Sequence, residues 1–170
     1  ANKIQQTIMH RQMACPMFYT YTFYLRKNVR WHDGEPFTAG DVRFTVEAIM
    51  DPDNGSENAP DFEDVEEVNV LDDYTVSFRL SAPNAAFLDY MTMAVLPEHL
   101  LSGEDMQESE FFRAPVGTGP YILDSWEEGQ AIILVKNTDY YKGEPDIDRV
   151  VFKIVTDDNA RAMQMQSGEL

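Results

Sequence analysis

Chemistry in this chain of 170 residues would have to start from few side chains. There are three histidines, His10, His32 and His99, and a single cysteine, Cys15. None of the histidines pairs with a second ligand at the i,i+4 spacing that sets two metal donors on one helix face, so no metal site is expected. Cys15 stands beside Pro16 with no base near it in the sequence, and a thiol needs such a base to become a nucleophile. One cysteine forms neither an intrachain disulfide nor a Cys-based zinc site. No Gly-x-Ser-x-Gly elbow presents a serine. The expectation is a chain with no catalytic residues, no metal and no cofactor.

Two stretches imitate ligand loops. Asp51-Pro52-Asp53-Asn54-Gly55 resembles the start of a calcium loop, which needs glycine at its sixth position and a bidentate glutamate at its twelfth. Here glycine comes fifth and Phe62 takes the twelfth place, so the stretch reads as a solvated loop. Gly117-Thr118-Gly119-Pro120 has glycines that could cradle phosphate. A phosphate loop requires Gly-Lys-Ser/Thr opening a helix, whereas Pro120 precedes a predicted strand. These glycines read as letting the backbone turn and pack tightly where two lobes meet, with direct ligand contact as the alternative. The nine methionines include Met91 and Met93. Methionine lines adaptable binding surfaces but fills cores by default.

The elements that would position these groups follow from periodicity. Ile4, Ile8 and Met9, extended weakly by Met13, suggest a helical stripe that Pro16 would end. Tyr19 to Leu25 is aromatic and β-branched and predicts a strand. Asp33-Gly34 supplies a tight turn. Thr38 and Asp41 form a capping-box pattern ahead of Val42, Thr45, Val46, Ile49 and Met50, a helix that should stop before Pro52. Residues 51–64 read as a polar loop. Val65 to Leu71 and Tyr74 to Leu80 alternate around Asp72-Asp73, a hairpin signal, with Tyr74, Val76, Phe78 and Leu80 on one face. A short helix is expected over Asn84 to Met93, a turn over Pro97 to Leu101 and another around 104–113. Beyond Pro115, strands are predicted over Tyr121 to Trp126, Ala131 to Lys136 and, as a buried strand, Val150 to Val155. A helix follows over Asp158 to Gln166, with Ala162, Met163 and Gln166 on one side and Gly168 as its cap. The one boundary falls near 114–116.

Composition narrows the class. Hydrophobic residues make up 44% and aromatics 12%, an ordinary globular balance. The formal charge of −17 repels nucleic-acid phosphates and anionic lipid, so neither is an expected partner. No apolar run approaches the ~20 residues that span a bilayer. Ala1 to Gln6 lacks a basic segment followed by an apolar one, so a processed start is expected.

Four motifs carry a resemblance. Tyr21-Thr22-Phe23-Tyr24-Leu25-Arg26, Trp31-His32-Asp33-Gly34 and Thr38-Ala39-Gly40-Asp41-Val42 together resemble the signature of the family 5 extracellular solute-binding proteins. These are the peptide- and nickel-binding receptors of ABC importers. Asp72-Asp73-Tyr74-Thr75-Val76 with Phe78, Pro115 through Tyr121, and Asn137 through Gly143 leading to Ser167-Gly168-Glu169-Leu170 are similar to further family segments, in the family's order.

The resemblance implies an α+β chain, a partial periplasmic-binding-protein type II-like fold. Residues 1–19 would be an unassigned lead, 20–115 a small extra lobe and 116–170 a section of the first main lobe, with most of the ligand site elsewhere. It implies a peptide ligand held through its backbone as an added strand, closure by a hinge, and delivery to a membrane permease. Nickel chelate, haem or oligosaccharide are alternative ligands, and an interaction module without transport role is an alternative function. The location implied is extracellular, as a cell-surface lipoprotein or in the periplasm. Tyr90, Met91, Met93 and Thr118 are the ligand-binding candidates, and Gly117, Thr118, Gly119, Pro120 and Tyr121 form the lobe junction. A sheet without its partner strands would self-associate through its edges.

Overall fold

The computed structural model of the chain describes residues 9–15 and 18–168, with side chains from Tyr19 onward. Four strands form the first sheet. β1 (Met9–Cys15) and β2 (Phe18–Tyr24) pair antiparallel, and the sheet order is β1-β2-β4-β3, with β3 at Val65–Asp72 and β4 at Thr75–Leu80. The helical stripe expected at the start is therefore corrected over Met9–Cys15. Met9 and Met13 alone could not sustain a short helix, whereas the neighbouring β2 offers a full ladder of hydrogen bonds. Ile4, Ile8 and Pro16 lie outside the described residues.

The β3–β4 hairpin forms where its alternation predicts. Val76, Phe78 and Leu80 are fully buried, and Tyr74 packs at the edge of the same cluster. Because β4 lies between two strands, Thr75 and Ser77 on its other face are also buried. Arg79 instead meets Glu66 and Glu67 across the hairpin. The helix α1 (Ala39–Met50) covers the apolar face with Val42, Val46 and Ile49, while Met50 points outward at 39% exposure. Asn54 closes its far end by donating to the Ala48 carbonyl at 2.9 Å.

An expected loop and an expected short helix both prove to carry core residues. The 51–64 stretch makes two short 3-10 turns that insert Phe62 beneath α1. The Asn84–Met93 helix shrinks to one turn, α2 (Phe87–Tyr90), and ahead of it Asn84 accepts from the Ala86 N–H, a local bond that holds the entering chain in a turn. That turn delivers Phe87 to the middle of the core. Its ring lies 4.9 Å from Tyr21, 5.5 Å from Phe78 and 6.4 Å from both Phe23 and Phe62. A second single turn, α3 (Glu98–Leu101), packs on α1, and a 3-10 turn at Glu110–Phe112 lies within the expected 104–113 turn.

The second sheet is β5 (Tyr121–Glu127), β6 (Ala131–Lys136) and β7 (Arg149–Lys153), antiparallel in that order, followed by α4 (Asp158–Ser167). Gly168 caps α4 with a left-handed φ of 77°. Here a second expectation is corrected. Val150–Val155 is not buried, since Val151 is 53% and Phe152 55% exposed. β7 is an edge strand, and of its residues only Val150 is partly buried. The side of α4 that carries Ala162, Met163 and Gln166 is likewise exposed. The Lys136 N–H to Asp148 and Ile154 N–H to Gln130 bonds set the register. That register turns the backbone groups of Arg149, Val151 and Lys153 toward the open edge.

Candidate functional site

The two sheets meet at the 115–120 segment, and the residues that hold it come from far away in sequence. His32, on the turn between β2 and α1, donates its backbone N–H to the Gly117 carbonyl at 2.8 Å. The Gly117 N–H donates back to His32 Nδ1 at 3.1 Å, and His32 Nε2 lies 3.0 Å from the Gly119 carbonyl. From the other side, Asn137 Nδ2 donates to the same Gly119 oxygen at 3.1 Å, and the Asn137 N–H donates to the Pro120 carbonyl at 2.8 Å. Asn28 reaches the Tyr141 carbonyl at 3.4 Å, and the Arg26 guanidinium stands over the Tyr141 ring at 5.8 Å. Val116 and Tyr141 pack against the edge of the main core.

A second network fixes the start of α1. Asp41 is 4% exposed, and its carboxylate accepts from Thr38 N–H at 2.8 Å, Trp31 Nε1–H at 3.3 Å and Glu98 N–H at 3.0 Å. Thr45 donates to the Asp41 carbonyl at 2.7 Å and accepts from the Leu96 N–H at 2.8 Å. The start of α1 therefore anchors residues 96–98, directly after the 90–93 stretch. Gly34 holds the turn with φ 96°, and Asp33 accepts from His99 Nε2 at 2.7 Å. Partial burial works against charge on Asp33, but the His99 bond and the Glu35 N–H outweigh it and lower its pKa.

The binding candidates fall into different environments. Met91 is 1% exposed, a core residue that offers a ligand almost no surface. Tyr90 and Met93 are half-buried against the same core. Thr118 is 4% exposed, and its hydroxyl makes no hydrogen bond among the described residues. No hydrogen bond among the described residues links the 90–93 stretch to Thr118. A cavity of 180 Å³ lined by Arg113, Trp126 and Glu128, and another of 240 Å³ bordered by Ile49, Leu96 and Phe112, include none of the four. Among the described residues no group of three or more His, Cys, Asp or Glu is placed to hold a metal ion. No helix among them is long and apolar enough to cross a membrane.

Sequence reasoning passed over His32 and Asn137 as junction residues. Both lie in the quoted motifs, but His32 and Gly119 are 87 positions apart, beyond any periodic signal.

The profile of the bacterial extracellular solute-binding proteins, family 5 Middle, matches residues 19–170. The chain belongs to this family. It is 35% identical over 156 residues to the oligopeptide-binding protein AppA of Bacillus subtilis (strain 168), covering 88% of this chain and 29% of AppA. The structure of AppA with a nonapeptide superposes with a TM-score of 0.87 at 32% identity, covering 95% of this chain and 33% of the other. NikZ from Campylobacter jejuni with Ni(L-His) gives 0.86 at 32% identity, covering 94% and 32%. The family 5 chain thus spans under a third of the length of the curated relatives it matches, and its α+β fold is part of a periplasmic binding protein.

Proposed function

We propose that this chain is part of the substrate-binding component of an ABC importer for peptides, that it is not an enzyme, and that it works outside the cytoplasmic membrane, as a cell-surface lipoprotein or in the periplasm. The observation that carries this is the likeness, along nearly the whole chain, to an oligopeptide-binding protein and to its nonapeptide complex. In this reading residues 20–115 are the small lobe and 116–170 a section of the first main lobe, joined through Gly117 to Tyr121. Thr118, Tyr90 and Met93 are the chain's candidate ligand contacts, and Met91 supports Tyr90 and Met93 from the core. The Thr118 hydroxyl suits a peptide carbonyl or N–H, because hydroxyls both donate and accept. The partner that takes over the ligand is a membrane permease.

Mass spectrometry of ligand co-purified with the full protein tests the assignment. Peptides of mixed sequence are expected, and metal chelate alone would overturn it. The nickel reading is kept because NikZ superposes nearly as well as AppA.

Taken alone, the 170-residue chain should self-associate. Val151, Phe152, Met163 and Met165 are all more than half exposed, and the outer edge of β7 is unpaired among the described residues. Antiparallel pairing of two β7 edges centred on Val151 would set Arg149 against Lys153, so added salt should favour association. Light scattering that finds a monomer at high concentration and high salt would refute this.

A further inference from the structure

The 117–119 loop is clasped from across the junction by one imidazole. The Gly117 N–H points at His32 Nδ1, so that nitrogen must carry a lone pair. The proton of the neutral ring therefore sits on Nε2, and Nε2–H donates to the Gly119 carbonyl. The second lone pair of that carbonyl takes the Asn137 amide. Thr118 stands between the two clasped glycines.

We propose that His32 is the positioning residue of this loop: as a neutral, Nε2-protonated imidazole it sets how Thr118 is presented, and on protonation it releases the Gly117 N–H while its backbone N–H still holds the Gly117 carbonyl. This goes beyond the peptide reading, because it concerns the geometry of the loop whatever ligand the full protein takes.

Protonation would place a second N–H on Nδ1, facing the Gly117 N–H donor to donor, while the Nε2 bond to Gly119 persists. The switch thus acts on one side of Thr118 only. Burial opposes charge on the ring and lowers its pKa from 6.5, outweighing the Gly119 carbonyl and the nearby Asp33, both of which favour the cation. Asp33 is itself engaged by His99 of α3, and Arg30 on the same turn donates to the Gly34 carbonyl at 2.8 Å. The 115–120 segment carries no ionisable side chain. Behind it, the 137–143 segment carries Asp139, Tyr140, Tyr141 and Lys142, with the Lys142 ammonium 5.6 Å from the Tyr141 ring centre.

Nitrogen-15 NMR of the histidine rings, with amide exchange, tests the assignment on this chain. The expected spectrum shows His32 as the Nε2–H tautomer with a midpoint below 6.5, and Gly117 and Thr118 resonances moving with that midpoint. His32→Asn keeps an acceptor near the Nδ1 position, and His32→Gln keeps a donor near Nε2. Exchange of the Gly117 amide should quicken about tenfold in His32→Gln and stay near wild type in His32→Asn, as expected for loss of one net hydrogen bond. An Nδ1–H tautomer, a midpoint at or above 6.5, or a Gly117 amide that ignores both the titration and the substitutions would overturn the proposal. The wild-type tautomer alone decides the case if neither variant folds.

Discussion

Replacing Asp41 with alanine should be among the most damaging single changes to the first sheet and the helix that covers it. The side chain is nearly inaccessible, and its removal leaves the Thr38, Glu98 and Trp31 N–H donors without their acceptor. A buried donor left without a partner costs about 1–3 kcal/mol. Trp31 is 2% exposed, so water cannot stand in for the lost bond there, whereas the two backbone donors lie in partly buried settings where water recovers some of theirs. Counting Trp31 near the middle of that range and the others near its lower end gives about 3–5 kcal/mol for Asp41→Ala. A domain of this size holds about 5–15 kcal/mol in total. Asp41→Asn keeps the shape and one carbonyl oxygen. Turned toward Thr38 and Trp31, that oxygen leaves only Glu98 facing an amide, a cost of about 1–2 kcal/mol. Urea unfolding followed by the fluorescence of Trp31, in a Trp126→Phe background, reads both values from the midpoint at constant slope. The reasoning fails if Asp41→Ala costs less than about 1 kcal/mol, below the range for even one orphaned donor. It also fails if asparagine is as costly as alanine, which would mean that charge matters and the donors do not.

Other expectations follow from the same structure. Phe87→Ala removes the ring that four other aromatics touch and should cost about 3–5 kcal/mol, read as a urea midpoint shift. Thr45→Val strands the Leu96 N–H in a nearly isosteric background and should cost about 1–3 kcal/mol by the same measurement. Gly40→Ala places a methyl 2.6 Å from Glu98 Oε2, the movable end of a side chain. The helix gain of about 0.5–1 kcal/mol should roughly cancel the lost Arg43–Glu98 pair, leaving the melting temperature nearly unchanged. Finally, stability should fall as pH drops through 6.5, because the unfolded His32 takes up a proton there while the buried ring resists. The contribution is intact above 6.5, declines until the folded ring itself titrates, and is absent from the His32→Asn protein, as parallel denaturation series at several pH values would show.

Much of this protein can be read from its residues in order. The β3–β4 hairpin follows from strict alternation around Asp72-Asp73, and α1 follows from the Thr38–Asp41 box and the Val42-Val46-Ile49 stripe, because both patterns are local. The family, too, is legible in short motifs in a fixed order. What neighbours decide was not legible. Met9–Cys15 pairs as a strand because β2 offers a ladder, although its few apolar residues suggested a helix. Val150–Val155 has the composition of an interior strand and lies at an exposed edge, since burial depends on which elements stand alongside. Phe62 and Phe87 sit in stretches that read as loop and short helix, yet close packing draws them into one aromatic cluster. Above all, Gly117-Thr118-Gly119 read as a turn packed tightly at a junction, with no sign of which residues hold it there. The folded chain brings His32 and Asn137 to it, and hydrogen-bond geometry across 85 positions turns a pliable segment into one with a defined orientation.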